Sequence, residues 1–105
     1  MTPDENLTNA AATFKQRNTV YGSAYKRHGE VMKALFPNGL AVHSIEEWNR
    51  LGVINMLVSK LVRYTSNMSY PAGGHQDSAH DMIAYAAMLE ELTNEVQATC
   101  LHVPV

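Results

Sequence analysis

The sequence predicts an all-α domain of about four helices, the last two forming a long antiparallel hairpin. Three observations carry that reading. Apolar residues recur at helical spacing, two Ser/Thr-x-x-Glu capping boxes mark helix starts, and no stretch shows a convincing period of two.

The first helix begins at Thr2-Pro3-Asp4-Glu5, with Thr as N-cap, Pro at the first helical position and Glu closing the box. Leu7, Ala11 and Phe14 share a face, and the helix is expected to fade near Asn18. Tyr21-Gly22-Ser23 breaks it. A second helix is expected from about Ser23 to Phe36, with Val31, Met32, Leu35 and Phe36 as its apolar side, stopped by Pro37-Asn38-Gly39. Ser44-Ile45-Glu46-Glu47 is the second capping box. It opens the longest helix, roughly 45–67, whose stripe is Trp48, Leu51, Val58 and Val62, widened by Ile54, Leu57 and Leu61. Residues 68–74, with Pro71 and Gly73-Gly74, read as a loop. The last helix runs from about Asp77 into the 90s with Met82, Tyr85, Ala86, Leu89 and Val96 inward, and the tail at 100–105 is expected to be loose.

At 105 residues the chain is expected to be a single domain, 1–105, with room for a modest core. A hydrophobic share of 46% against 17% charged leaves apolar surface to spare, which favours a homo-oligomer. Eight basic and ten acidic residues give a net charge of −2, far from the basic balance of a general duplex-DNA binder. The lone cysteine, Cys100, forms no intrachain disulfide, and no run approaches the ~20 apolar residues of a membrane span. A cytoplasmic protein is the expectation.

The most informative segment is Gly73-Gly74-His75-Gln76-Asp77-Ser78-Ala79-His80-Asp81. Asp77 and Asp81, four apart, stack on one helical face that continues through Tyr85, Met88 and Leu92, largely a core stripe. A buried carboxylate needs a cation, a metal or a donor opposite it. A hairpin folded near Tyr70 and Pro71 places Asp81 near Leu61 and Asp77 near Thr65, at the level of Lys60, Arg63 and Asn67. Two readings stay open: an ion-pair network in which Lys60 or Arg63 neutralises Asp81, or a site in which His75 and both carboxylates meet a ligand. Asp/Asp plus imidazole suits Mg²⁺ or a similar ion, but the set lacks a third carboxylate. Glu46 lies fourteen residues before Lys60, about 21 Å along a straight helix. Tyr21-Gly22, flanked by Arg17, Tyr25, Lys26 and Arg27, is a second cluster, in which a base could stack on tyrosine while cations hold phosphate.

Tyr21-Gly22, Lys60-Leu61-Val62-Arg63-Tyr64, Gly74-His75-Gln76-Asp77-Ser78 with Asp81, and Ala84-Tyr85-Ala86 resemble small phage and prophage domains associated with nucleotide modification. Those domains are similar to the MazG-like all-α nucleotide pyrophosphatase group. The resemblance runs from about 17 to 92. It implies an oligomeric helical domain handling a phosphorylated nucleotide, with Lys60, Arg63, His75, Asp77 and Asp81 at the site. MazG-type hydrolases hold Mg²⁺ with Glu-Glu-x-x-Glu on one helix and Glu-x-x-Asp on the next. Here Arg50 stands where the third Glu belongs, and Ser78 where the second motif wants Glu.

Binding therefore carries over more safely than hydrolysis. The leading expectation is capture of a nucleotide or nucleotide-derived signal without turnover, for a phage-type protein a sponge against host defence signalling in the host cytoplasm. Lys60 and Arg63 would meet phosphate, His75 would hydrogen-bond the ligand, and Tyr21 would stack on a base. The alternative is a nucleoside triphosphate pyrophosphohydrolase with Mg²⁺ on Asp77 and Asp81 as catalytic residues. A structural or interaction module is the third. No membrane partner is expected.

Overall fold

The computed structural model describes residues 1–22, 24–69 and 73–101, without the side chains of 19–21 and 99–101. Its four helices are α1 (Pro3–Tyr21), α2 (Ala24–Leu35), α3 (Ile45–Ser66) and α4 (Gln76–Leu101). Among the described residues there is no strand. Both capping boxes form. The Thr2 hydroxyl accepts from the Glu5 amide while the Glu5 carboxylate accepts from the Thr2 amide, and Ser44 and Glu47 repeat the exchange. The helix ends differ from expectation by a turn or less. α1 runs past Asn18 to Tyr21, where the Gly22 amide closes it on the Asn18 carbonyl. α4 continues through Leu101, and 102–105 lie outside the described residues.

α3 is the hub. Ala24 of α2 packs on Val58 and Val62 of α3, joined by Val31, Met32 and Ile54. Two polar ties reinforce that contact. Arg27 donates to the Val62 carbonyl at 3.2 Å and to the Ser66 hydroxyl, and His28 Nε2 lies 3.2 Å from Asn55 Oδ1. The Val62 carbonyl accepts from the Thr65 and Ser66 hydroxyls as well. α4 packs on another side of α3. Lys60 meets Asp81, Tyr64 lies against Gly74, and the Gly74 amide donates to the Asn67 carbonyl at 2.6 Å. Rising numbers on α4 therefore meet falling numbers on α3, and the two helices run antiparallel.

The Gly-Gly turn is sterically required. Gly73 and Gly74 have φ of +71° and +104°, and a Cβ on Gly74 would stand 2.5 Å from the Tyr64 ring. The close backbone approach expected of this turn is made to Tyr64.

The core is smaller than the apolar periodicity suggests. Among the described residues only Ala24, Val58 and Val62 are buried apolar side chains. Trp48 and Leu61, expected on the inward stripe of α3, are 59% and 46% exposed, and Leu35 is exposed as well. On α4 the stripe through Asp81 and Met88 is a flank rather than core. Asp81 is 43% exposed and Met88 about half, while Tyr85 and Leu92 are half-buried. Ala86, expected inward, is exposed. The line turned to α3 is Ser78, Tyr85, Leu89 and Val96, one helical step round from Asp81. The physical reason is that α2 and α4 share no packed face among the described residues: each covers one side of α3, and α1 adds only a small contact near Arg63.

α1 is exposed at every described position, Leu7 at 70%, and touches the rest mainly near its C-terminal end. The radius of gyration is 18.0 Å, against about 13 Å for a compact chain of this length. Among the described residues no helix is long and apolar enough to cross a membrane.

Candidate functional site

The start of α4 is built around His75. It is the residue before the helix, and its Nδ1 accepts from the Ser78 amide at 3.2 Å and lies 2.6 Å from the Ser78 hydroxyl. That is the geometry of an N-cap, with imidazole in place of the usual hydroxyl or carboxylate. Because Nδ1 accepts the amide proton, the ring proton is assigned to Nε2. Ser78 is fully buried beneath the imidazole. Ser78 is thus a packed, hydrogen-bonded residue, where no ligand reaches it.

Asp77 is exposed in the first turn of α4, a position the helix macrodipole favours for an acid. His80 is exposed too. Asp81, one turn further, lies 3.1 Å from Lys60 Nζ, with Lys60 only 18% exposed. The hairpin estimate placed Asp81 beside Leu61, one residue from the contact found. The structure joins two of the expected residues, Lys60 and Asp81, into an ion pair. Among the described residues no three His, Cys, Asp or Glu side chains gather as a metal-binding group.

Arg63 points elsewhere. It sits three residues from Lys60 and lines a groove with Phe14, Arg17, Asn18, Gly22, Ala24 and Tyr25. The groove lies where α1 ends, α2 begins and α3 nears its last turn. Phe14 and Tyr25 meet edge to face, with centroids 6.3 Å apart, and Lys26 Nζ stands 5.9 Å from the Tyr25 ring centre. Two guanidinium groups and two aromatic rings line this groove, and among the described residues no carboxylate does. The side chain of Tyr21 lies outside the described residues, so its expected stacking role has no geometry here. Tyr25, four residues on, offers an exposed ring in the same neighbourhood. In the sequence Tyr21-Gly22 reads as a second cluster, with Tyr21 and Arg63 expected to meet one ligand. Only the packing of α1 and α2 against α3 puts Arg63 in one groove with Arg17 and Tyr25.

Arg50 lies at the other end of α3. Its Nε is buried with no hydrogen-bond partner among the described residues, in an apolar hollow with Phe36, Leu40, Val42 and Ile54. Glu47, also at that hollow, is held below its ordinary carboxylate value, first by the Ser44 hydroxyl and then by the Ser44 amide. This end is a helix cap beside a cation and gathers no carboxylate cluster.

Compared with models of protein families, with curated proteins and with solved structures, the chain finds no match.

Proposed function

We propose that this protein binds a phosphorylated nucleotide, or a signal derived from one, without turning it over. The observation that carries the reading is the groove of Arg17, Arg63, Phe14 and Tyr25, with no carboxylate among the described residues of its wall. Guanidinium groups pair with phosphate through two parallel hydrogen bonds, and an exposed tyrosine offers a face on which a base can stack. Lys60, the neighbouring cation on α3, joins phosphate only by releasing Asp81. His75, at the hairpin end, is the further residue proposed to hydrogen-bond the ligand.

Binding is favoured over hydrolysis by the state of the carboxylates. A Mg²⁺-dependent hydrolase needs several acidic ligands around one ion. Here Asp81 is engaged by Lys60, Ser78 is buried, and Arg50 replaces an acid. In this reading the domain is MazG-like in ancestry, of phage type, works in the host cytoplasm, and acts as a sponge for host defence nucleotides.

The groove encloses about 190 Å³, less than the ~300–1000 Å³ of a typical small-molecule site. One chain therefore holds part of a nucleotide, which accords with a protein that assembles with copies of itself.

The test is incubation with a panel of linear and cyclic nucleotides and Mg²⁺, followed by heating and chromatography. Intact ligand recovered from the complex is the expected result. Pyrophosphate release would make the protein an enzyme acting through Asp77 and Asp81. No binding of any nucleotide would leave an interaction module and sink the proposal. Arg63→Ala should cost about 2 to 5 kcal/mol of binding with the fold intact, tens to thousands of fold in affinity, whereas Glu46→Ala should matter far less.

A further inference from the structure

We propose that the hollow at the start of α3 is a second ligand site, one that takes a free α-amino acid with an apolar side chain. It goes beyond the nucleotide reading and does not rest on it. Arg50 stands thirteen residues before Arg63, about 20 Å along α3.

The hollow lies where α2 has ended and the chain enters α3. Phe36 just past α2, Leu40 and Val42 of the connecting segment, and Ile54 of α3 form apolar walls around about 160 Å³. An apolar cavity of ~150 Å³ lined by Leu, Ile and Phe side chains takes a benzene molecule, so this hollow has room for a branched aliphatic or phenyl side chain. Leu40, half exposed, stands at its solvent rim.

Two charges complete the site. The Arg50 Nε is buried without a hydrogen-bond partner, the one such side-chain atom among the described residues. A donor left that way is costly, and folded proteins rarely tolerate it. Glu47, three residues earlier, is its neighbour on the same face of α3. The Glu47 carboxylate takes both the Ser44 amide and the Ser44 hydroxyl on Oε1 and forms no ion pair with the guanidinium. The hollow thus carries one cation and one anion that do not satisfy each other.

Charge decides the occupant. A simple carboxylic acid would set its charge against Glu47, and a simple amine against Arg50, each a like-charge contact. A zwitterion meets both. Its carboxylate accepts from the Arg50 guanidinium, its ammonium donates to Glu47, and its side chain fills the hollow. Arg50 as a whole is only partly buried, so a small turn of its side chain brings Nε to the ligand. A peptide terminus carries only one of the two charges.

Titration calorimetry of the purified full chain against leucine, isoleucine, valine and phenylalanine tests this. At least one should bind, one per chain. The tightest binder stripped of its ammonium or of its carboxylate (isocaproate and isoamylamine in the case of leucine) should bind roughly ten- to a hundredfold more weakly. No binding by any of the four, or a stripped analogue binding as tightly as its parent, would overturn the proposal. Arg50→Met removes the guanidinium together with its buried unpaired donor. It should abolish binding while the ligand-free protein unfolds at or above the wild-type temperature. A purely structural Arg50 gives the opposite, a lowered unfolding temperature with binding retained, and that result sinks the site. Should Arg50→Met fail to fold, Leu40→Trp fills the hollow from its solvent rim. It should block binding with the helical circular dichroism intact, and unhindered binding in that variant overturns the proposal as well.

Discussion

The Lys60 ammonium lies 3.1 Å from the Asp81 carboxylate, with the lysine largely shielded and the aspartate nearly half exposed. The pair pins the hairpin one turn beyond the loop, and it holds the lysine that a phosphate would otherwise recruit. Partial exposure of Asp81 screens the attraction, so the pair is worth about 0.2 to 1 kcal/mol. Asp81→Asn should lower stability by no more than that in urea unfolding. If Lys60 exchanges between Asp81 and phosphate, the same variant binds nucleotide more tightly than wild type. Weaker binding would instead place Asp81 in direct contact with ligand.

Gly74→Ala should be among the most damaging small substitutions in the chain. It combines a left-handed φ of +104° with a Cβ driven into the Tyr64 ring, and should cost on the order of 2 to 4 kcal/mol. Gly73→Ala meets the backbone penalty alone, about 1 to 2 kcal/mol. Thermal unfolding of Gly74→Ala with and without Tyr64→Ala separates the two parts. The steric part should vanish in the double variant, and a cost that does not change would show that the ring contact is unimportant.

His75→Ala removes the cap of α4 and leaves the buried Ser78 hydroxyl and amide without their partner. A loss of about 1 to 2 kcal/mol follows, read by denaturant unfolding. His75→Asp restores an N-cap acceptor and should recover most of that stability. Normal stability with lost nucleotide affinity in His75→Asp would assign the imidazole a second role at the ligand.

The Glu47 carboxyl is held below its ordinary value of 4.5 by the Ser44 hydroxyl and amide. A carboxyl with a lowered folded value contributes stability that is fully present above its unfolded value. That contribution is lost as pH falls below 4.5 and through the lowered folded value. Glu47→Gln should therefore be less stable than wild type at pH 7, and the difference should shrink as the solution is acidified past that range. A difference independent of pH would show that the carboxylate charge plays no part. Ser44→Ala, by loss of the cap itself, should cost about 1 kcal/mol at neutral pH.

Arg27→Lys tests the α2–α3 tie. Both bonds leave one nitrogen, Nη2, which the shorter lysine side chain does not carry to the same point. The change should cost about 1 kcal/mol in thermal or urea unfolding. Nucleotide affinity should hold near the wild-type value, because Arg27 belongs to the helix contact and does not line the groove. Affinity falling as steeply as in Arg63→Ala would move Arg27 into the site.

By itself the sequence determined the local structure. Capping boxes, Pro37-Asn38-Gly39, the Gly-Gly turn and the helical period give four helices at their observed places, because these signals act within a few residues along the chain. The hairpin register was legible to within a residue at Asp81, since a short loop leaves two antiparallel helices little freedom. What only the tertiary structure decided is which side of each helix has a neighbour. The 3.6-residue period marks an apolar face but not what covers it, so Trp48, Leu61 and Met88 read as inward and stand exposed. The candidate site divides for the same reason. Lys60 and Arg63 are three apart on one helix, yet one meets α4 and the other meets α1 and α2. Helix-to-helix packing over long sequence separations, which no local pattern encodes, sent Arg63 to Arg17 and Tyr25 and gave Lys60 to Asp81.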